Sequence, residues 1–260
     1  MTTTVRNTAS APAKKTAPRK KAVVKPTRGK QARALTTRDT ILRAAIRVFA
    51  KKGMAGGRVE SISKLSHTHD RMIYYYFGSK EKLFIEVLET TYQRMNDAEA
   101  ALQIDIGDPV GALITVVHFT WQYYLDHPEF MTLLNSENLH HGKHVSKSVR
   151  VSELSSPAVS ILEQILQAGA EQRIFRPDML ARDLYVAIAA LGYFYLSNRY
   201  TLSAFLSADL MAKDAIVHWR DFITDMVLRS VMNAPPIPDM PRKPAKRRTE
   251  KAIETAAHSA

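Results

Sequence analysis

Two short apolar-periodic segments on either side of a tight turn constrain this chain more than any other feature. The first runs from Arg58 to about Ser66 with Val59, Ile62 and Leu65 as its buried positions; after His67-Thr68 the second runs from about His69 to Tyr76. Upstream, Asp39 opens a helix with Ile41, Ala45, Val48 and Phe49 on one side. Gly53 ends it, Gly56-Gly57 form a loop, and Gly57 is an acceptable N-cap for the next segment. Downstream, Ser79 caps a long helix with Glu81 and Lys82 in its first turn. Its Phe84, Val87, Leu88, Thr91, Tyr92 and Met95 form one continuous helical stripe. A short helix, a tight turn and a second short helix make a helix-turn-helix unit.

The remaining sequence is punctuated by helix starts. Pro109 begins a helix through Val117 and Trp121 to Leu125, and Pro128 another through Leu134 to about Leu139. Ser156 is placed as an N-cap with Pro157 at the first helical position. Pro177-Asp178 begins a helix to Ser197, and Lys213 the last, with Ile216, Trp219, Ile223, Met226 and Val227. No alternating apolar segment argues for a sheet. The predicted fold is all-α: a disordered basic tail (1–37), a helix-turn-helix domain (38–84), a larger helical domain (85–233) and a flexible polar tail (234–260).

Charge divides along the same boundaries. The whole chain carries +12, yet residues 1–38 hold eleven basic groups and no acid, whereas 39–233 hold 20 basic and 22 acidic residues, a net of −2. The excess sits in the tails. Residues 1–36 are rich in Ala, Thr, Lys, Arg and Pro and bury too little apolar surface to offset their ordering entropy. They lack the apolar stretch of a signal peptide, though they overlap in composition with transit peptides, and Arg19-Lys20-Lys21 with a nuclear signal. No apolar run reaches the roughly 18 residues of a membrane helix; Leu184 to Leu196 falls short and is expected to be a buried helix. With no cysteine, the chain has no disulfide scaffold, thiolate metal cluster or cysteine nucleophile. Nucleophile elbow, P-loop, dinucleotide and zincin motifs are all missing, so an enzyme is not expected.

The run Ile73-Tyr74-Tyr75-Tyr76-Phe77-Gly78-Ser79-Lys80-Glu81-Lys82-Leu83 resembles the TetR-family signature, Leu/Ile-Tyr-x-Tyr-Phe-x-Ser-Lys-Glu-x-Leu. Ala44-Ala45, Phe49, Gly53 and Ile62 fit the same pattern. Asn135-Ser136-Glu137-Asn138-Leu139 and Ala189-Ala190-Leu191-Gly192-Tyr193 resemble the branch containing repressors of N-heterocycle catabolism. The resemblance implies a bacterial-type cytoplasmic, nucleoid-associated regulator, dimeric and ligand-responsive, released from a pseudo-palindromic operator by a small molecule. The alternative is a sequence-tolerant, nucleoid-type DNA binder driven by the basic tail.

In a helix-turn-helix protein the start of the second helix meets base edges while flanking groups grip phosphate. The exposed start here is Thr68, His69, Asp70, Arg71 and Met72, with Tyr74 and Tyr75 one turn on. Arg71 suits guanine, Asp70 cytosine N4, and Met72 a thymine methyl. The resemblance assigns Lys80 to phosphate; Arg58 and Ser61 are also within reach of the backbone. Tyr76 and Phe77 are assigned to the core. His67 stands where the family usually has glycine, at a position where positive φ is expected.

Three weaker groupings remain. Trp121, Tyr124, Met131, Asn135, Asn138 and Tyr193 either line an effector cavity, apolar with a few polar groups, or divide between core and solvent. His140 and His144 would meet if they shared a helical face and then bind a metal; otherwise they belong to a histidine-rich loop beside Gly142. The helices 178–197 and 213–232 are apolar over wide faces and are expected to pair across a two-fold axis. No cofactor is called for.

Overall fold

The computed structural model describes residues 28–148, 150 and 156–233. Among them are ten α-helices, one short 3-10 turn, and a single isolated β-bridge between Phe175 and Met232. Both predicted tails fall largely outside: residues 1–27 and 234–260 are not described.

Helix α1 (Arg28–Gly56) begins eleven residues before the expected start at Asp39, taking in a stretch assigned to the tail. Gln31, Ala32, Arg33, Ala34 and Leu35 are good helix formers, and the last preceding proline is Pro26. Gly53 breaks the helical path with φ 65 and ψ 178, as its position predicted. Helix α2 (Val59–Ser66) is capped by Arg58, not Gly57, and without a side-chain cap bond. Gly57 serves close approach instead: a Cβ there would stand 2.5 Å from the Phe49 ring. Leu65 is exposed, contrary to expectation; the buried residues of α2 are Val59, Ile62, Ser63 and Ser66. These follow the i, i+3, i+4, i+7 spacing of one face, and Leu65 lies off it.

Helices α3 (Asp70–Phe77) and α4 (Lys80–Ala100) complete the head. One core gathers Ile41, Ala45 and Phe49 of α1, Ile62 of α2, Ile73 and Phe77 of α3, and Leu83, Phe84, Val87 and Leu88 of α4. Helix α4, 21 residues and therefore ~32 Å long, also belongs to the second core through Met95. That core is built by α5 (Pro109–Asp126), α6 (Pro128–Leu139), α7 (Pro157–Glu171), α8 (Ala181–Ser197) and α10 (Lys213–Val231) around Trp121, Leu162, Ile165, Leu184, Ile188, Ile223 and Val227. Leu133 of α6 crosses into the head core, and Ser136 of α6 abuts Gly53 of α1.

Three further features qualify the sequence reading. Ser156 is the N-cap residue of α7, with Pro157 following as expected, but its side chain makes no cap bond; its hydroxyl donates to Glu99 Oε2 at 2.8 Å, and the Ala158 amide donates to the same oxygen at 3.3 Å. The carboxylate of α4 thus takes the capping role. Helix α8 starts at Ala181, not Pro177. The Arg176 amide donates to Val231 O (2.8 Å) and the Asn233 amide to Ile174 O (3.1 Å), which holds 174–176 beside the end of α10 before the chain can turn. Helix α9 (Arg199–Leu206) is the third, an element that the sequence does not mark; none of its residues is fully buried.

Candidate nucleic-acid interface

The turn between α2 and α3 is made by His67 in the left-handed region, φ 53 and ψ 37, as the missing glycine required. The Thr68 amide donates to Ser63 O (3.0 Å), and the Ser66 and Thr68 hydroxyls lie 2.8 Å apart. His69 flanks α3 without a side-chain cap, and Asp70 occupies the first turn, where a negative charge complements the helix dipole. At the other end Gly78 turns the chain with φ 77, and Ser79 Oγ accepts from the Lys82 amide at 3.1 Å. Arg38 of α1 pairs with Glu86 of α4 and stacks over the Phe77 ring at 4.9 Å. That clamp fixes α3 against its neighbours and was not legible from the sequence.

The proposed contact residues fall into two groups. Arg58, Ser61, Tyr74 and Lys80 line one depression together with Glu60 and Lys64. Lys64 is an addition; it lies on the same side of α2 as Ser61, three residues on. Thr68, His69, Asp70 and Arg71 line a second depression with Ser63. Lys80 Nζ donates to Ala55 O at 3.3 Å, which ties the start of α4 to the end of α1. Tyr74 is 50% and Tyr75 76% exposed, while Ile73 and Phe77 are buried, so α3 presents an aromatic front and an apolar back. Tyr76 packs on the head core as expected. Met72 does so too: it is half-buried, and its position limits how far it can reach a base.

The effector candidates separate. Trp121, Tyr124 and Met131 are buried in the body core. Asn135 Oδ1 accepts from the Tyr193 hydroxyl and from Ser197 Oγ, joining α6 to α8. Asn138 is exposed at the end of α6, apart from them. Tyr92, Tyr185 and Glu99 join the group instead. Burial raises the phenols of Tyr124, Tyr92 and Tyr185 above their usual range, with the neighbouring phenols and carboxylates adding to it. Burial likewise holds the Glu99 carboxyl high, against the opposing hydrogen bonds from Ser156 and Ala158. These residues are far apart in sequence, so no spacing signal marked them.

His140 and His144 do not share a helical face, because α6 ends at Leu139 and the chain turns through His141 (φ 56) and Gly142 (φ 69). His140 Nδ1 lies 2.7 Å from Ser136 O, and His144 Nδ1 2.8 Å from Glu137 Oε2. Glu137 also accepts from the amides of His144 (2.6 Å) and Val145 (2.9 Å), and the His144 ring meets Phe84 edge-on at 4.9 Å. The pair therefore staples the 3-10 turn (Val145–Lys147) to α6 and to the head core. Among the described residues no group of three or more His, Cys, Asp or Glu is placed to hold a metal.

Helices α8 and α10 bury one side and leave Val186, Phe194, Val217, Phe222 and Met226 exposed on the other. No described helix is long and apolar enough to cross a membrane.

Comparison with known proteins places these features in a group. Residues 41–87 match the family described as bacterial regulatory proteins, tetR family, and residues 109–227 match the tetracyclin repressor-like C-terminal domain. The chain is 53% identical over 195 residues to the HTH-type transcriptional repressor NicS of Pseudomonas putida, covering 75% of this chain and 92% of that one. It is 32% identical over 106 residues to the HTH-type transcriptional repressor SCO4008 of Streptomyces coelicolor, covering 41% and 52%. Among solved structures, SCO4942, a regulator candidate from Streptomyces coelicolor, superposes with TM-score 0.56 at 21% identity, covering 75% of this chain and 98% of that one. A TetR-family regulator candidate from Mesorhizobium loti superposes with TM-score 0.53 at 16% identity, covering 77% and 99%, which supports the fold alone. Signature, head geometry and 53% identity over three quarters of the chain agree: the chain belongs to the tetR family of bacterial regulatory proteins.

Proposed function

We propose that the chain is a dimeric transcriptional repressor that binds a pseudo-palindromic operator and is released by a small molecule. The observation that carries the reading is the front of α3. Arg71, Tyr74 and Tyr75 are exposed there, beside a depression holding Arg58, Lys64 and Lys80. Base-reading groups thus stand on the second helix and phosphate-binding cations flank it, the division of labour that sequence-specific binding requires. Residues 38–84 act as the reading head and 85–233 as the effector and dimerisation unit. The chain works in the cytoplasm, on the nucleoid, and without catalysis.

The two-fold axis runs between the exposed faces of α8 and α10, so each dimer presents two α3 helices to successive major grooves. The effector lodges in the body core, among Trp121, Tyr124, Met131, Asn135 and Tyr193 with Tyr92 and Tyr185, and the match to the family branch favours an aromatic N-heterocycle. The Asn135–Tyr193 bond ties α8 to α6, the helix that also touches the head through Leu133 and Ser136. An effector preferring one arrangement of α6 shifts the population of head positions.

The test selects genomic fragments bound by the purified chain and measures affinity for the selected site against shuffled DNA of equal length. Strong preference for the selected site is expected, with two-fold symmetry in it and release by one of a panel of aromatic N-heterocyclic acids. Equal affinity for shuffled DNA would instead favour the sequence-tolerant, tail-driven binder.

A further inference from the structure

A cleft of about 320 Å³ opens where α1, α4 and the first turn of α6 meet, lined by Arg43, Ile46, Arg47, Arg94 and Glu129. Three exposed arginines and one half-buried glutamate line it, in a region, 39–233, whose net charge is −2. Arg43 and Arg47 are four residues apart on α1, a like-charge spacing that weakens a helix. Arg94 adds a third positive charge from α4.

The protein does little to offset this crowding. The Arg43 guanidinium donates to the neutral Thr40 hydroxyl at 3.3 Å. Neither the Arg47 nor the Arg94 side chain makes a hydrogen bond or ion pair among the described residues, and Glu129 leans toward His127 Nδ1 at 3.3 Å. The neighbouring Tyr123 phenol senses both sides of the cleft: burial pushes it up to about 12, Glu129 adds to the shift and Arg94 opposes it. Nor does the cleft belong to the α3 front. Lys80 opens α4 on that side, and Arg94 stands fourteen residues on, ~21 Å along the helix axis.

We propose that this cleft binds a small polyanion bearing phosphoryl or paired carboxylate groups, and that its occupancy is linked to operator binding. Guanidinium forks match both kinds of oxyanion in bidentate geometry. Three of them against one repelling carboxylate select a multiply charged ligand over a monoanion. The cleft has walls from the head (α1), from the helix shared by head and body (α4) and from the body (α6), so a ligand bridging them favours one head position. By reciprocity it then alters affinity for DNA. This site is separate from the effector group in the body core, and its existence does not depend on that group.

The experiment titrates the full chain calorimetrically with inorganic pyrophosphate and, separately, with citrate, at ionic strength held constant with chloride. The same titrations follow on the double variant R47Q/R94Q and on E129Q. Saturable binding of at least one probe is expected, about tenfold weaker in R47Q/R94Q and severalfold tighter in E129Q. Pyrophosphate alone points to a phosphoryl ligand and citrate alone to a carboxylate; either supports the site. Equal binding by wild type and R47Q/R94Q assigns the anion to the basic tails and overturns the proposal. So does the lack of saturable binding below about 10 mM, near −2.7 kcal/mol. If R47Q/R94Q fails to fold by circular dichroism, the expected tightening in E129Q carries the test, and unchanged affinity there refutes it. The bound probe is also expected to change operator affinity at least about threefold in wild type; an unchanged operator affinity overturns the linkage. Equal weakening of operator and shuffled DNA by R47Q/R94Q, with no probe present, reassigns these arginines to the DNA backbone.

Discussion

The front of α3 and the outer faces of α8, α9 and α10 both leave large apolar side chains in water, but their surroundings differ. On the head, Tyr74 and Tyr75 stand on the helix that carries Arg71, and Tyr74 shares its depression with Arg58, Lys64 and Lys80. From Leu180 to Met226, ten of the fourteen exposed large apolar residues crowd into one stretch. A phenol ringed by cations suits a polyanion with base edges to read, because each hydroxyl can meet base or phosphate. A broad apolar stripe in which Arg182 and Arg220 pair with Asp183 and Asp221 and Arg199 stacks on Tyr200 suits another apolar surface. The same observation, an exposed aromatic, therefore argues for DNA at one end of the molecule and for a second copy at the other.

The second half of that contrast is open to the most damaging substitution. Phe222 is 44% exposed on α10, and Phe222→Glu places a charge in the proposed two-fold interface. Dimer dissociation should rise about 100-fold or more, on the order of 3 kcal/mol, read by sedimentation with helical content unchanged. An unaltered mass would assign the stripe to a different partner. Next comes Arg71→Ala, expected to remove discrimination at one base pair per half-site, worth roughly 1–3 kcal/mol. If shuffled DNA binding weakened as much, Arg71 would be a phosphate ligand.

Removing residues 1–27 deletes seven basic groups and no acid. It should weaken all DNA binding and flatten the salt dependence by up to ~0.9 for each phosphate no longer neutralised, leaving the ratio of operator to shuffled affinity intact. A fall in that ratio would give the tail a part in reading sequence. The smallest effect concerns the body core. Burial raises the Glu99 carboxyl above the usual carboxylate range, so folding favours the protonated form. This group's contribution to stability is then present below the unfolded pKa and lost as pH rises through the folded one. Glu99→Gln, which keeps an oxygen for Ser156 and Ala158, should remove that dependence; melting curves between about pH 4 and 7 would show parallel profiles if Glu99 titrated alike in the folded and unfolded chain.

The head was legible because its signals are local. Gly53, Ser79 and the turn at His67 act on their own few residues, and each behaves in the structure as its chemistry demands. What stayed hidden depends on partners distant in sequence. Glu99, 57 residues from Ser156, supplies the side-chain capping bond that the Ser156 hydroxyl does not, and the end of α10 holds residues 174–176 so that α8 starts late. Helix α9 buries none of its residues fully, so burial left no clear apolar face to read. Leu65 shows a limit of another kind: the spacing from Val59 to Ile62 to Leu65 mimics an inward row, yet Ser63 and Ser66 are the residues that turn inward. The cleft of Arg43, Arg47 and Arg94 joins two helices and a third element's first turn, and only their packing brings it together.

Selectivity from the front of α3, with charge-driven affinity from the tail, is tested most directly by one ratio. It is the operator affinity over the shuffled-DNA affinity for the triple variant R71A/Y74A/Y75A, all three side chains being exposed and outside the head core. That ratio is expected to collapse toward one while residual, salt-dependent binding to both DNAs remains. A ratio that survives the triple substitution would contradict this division of roles.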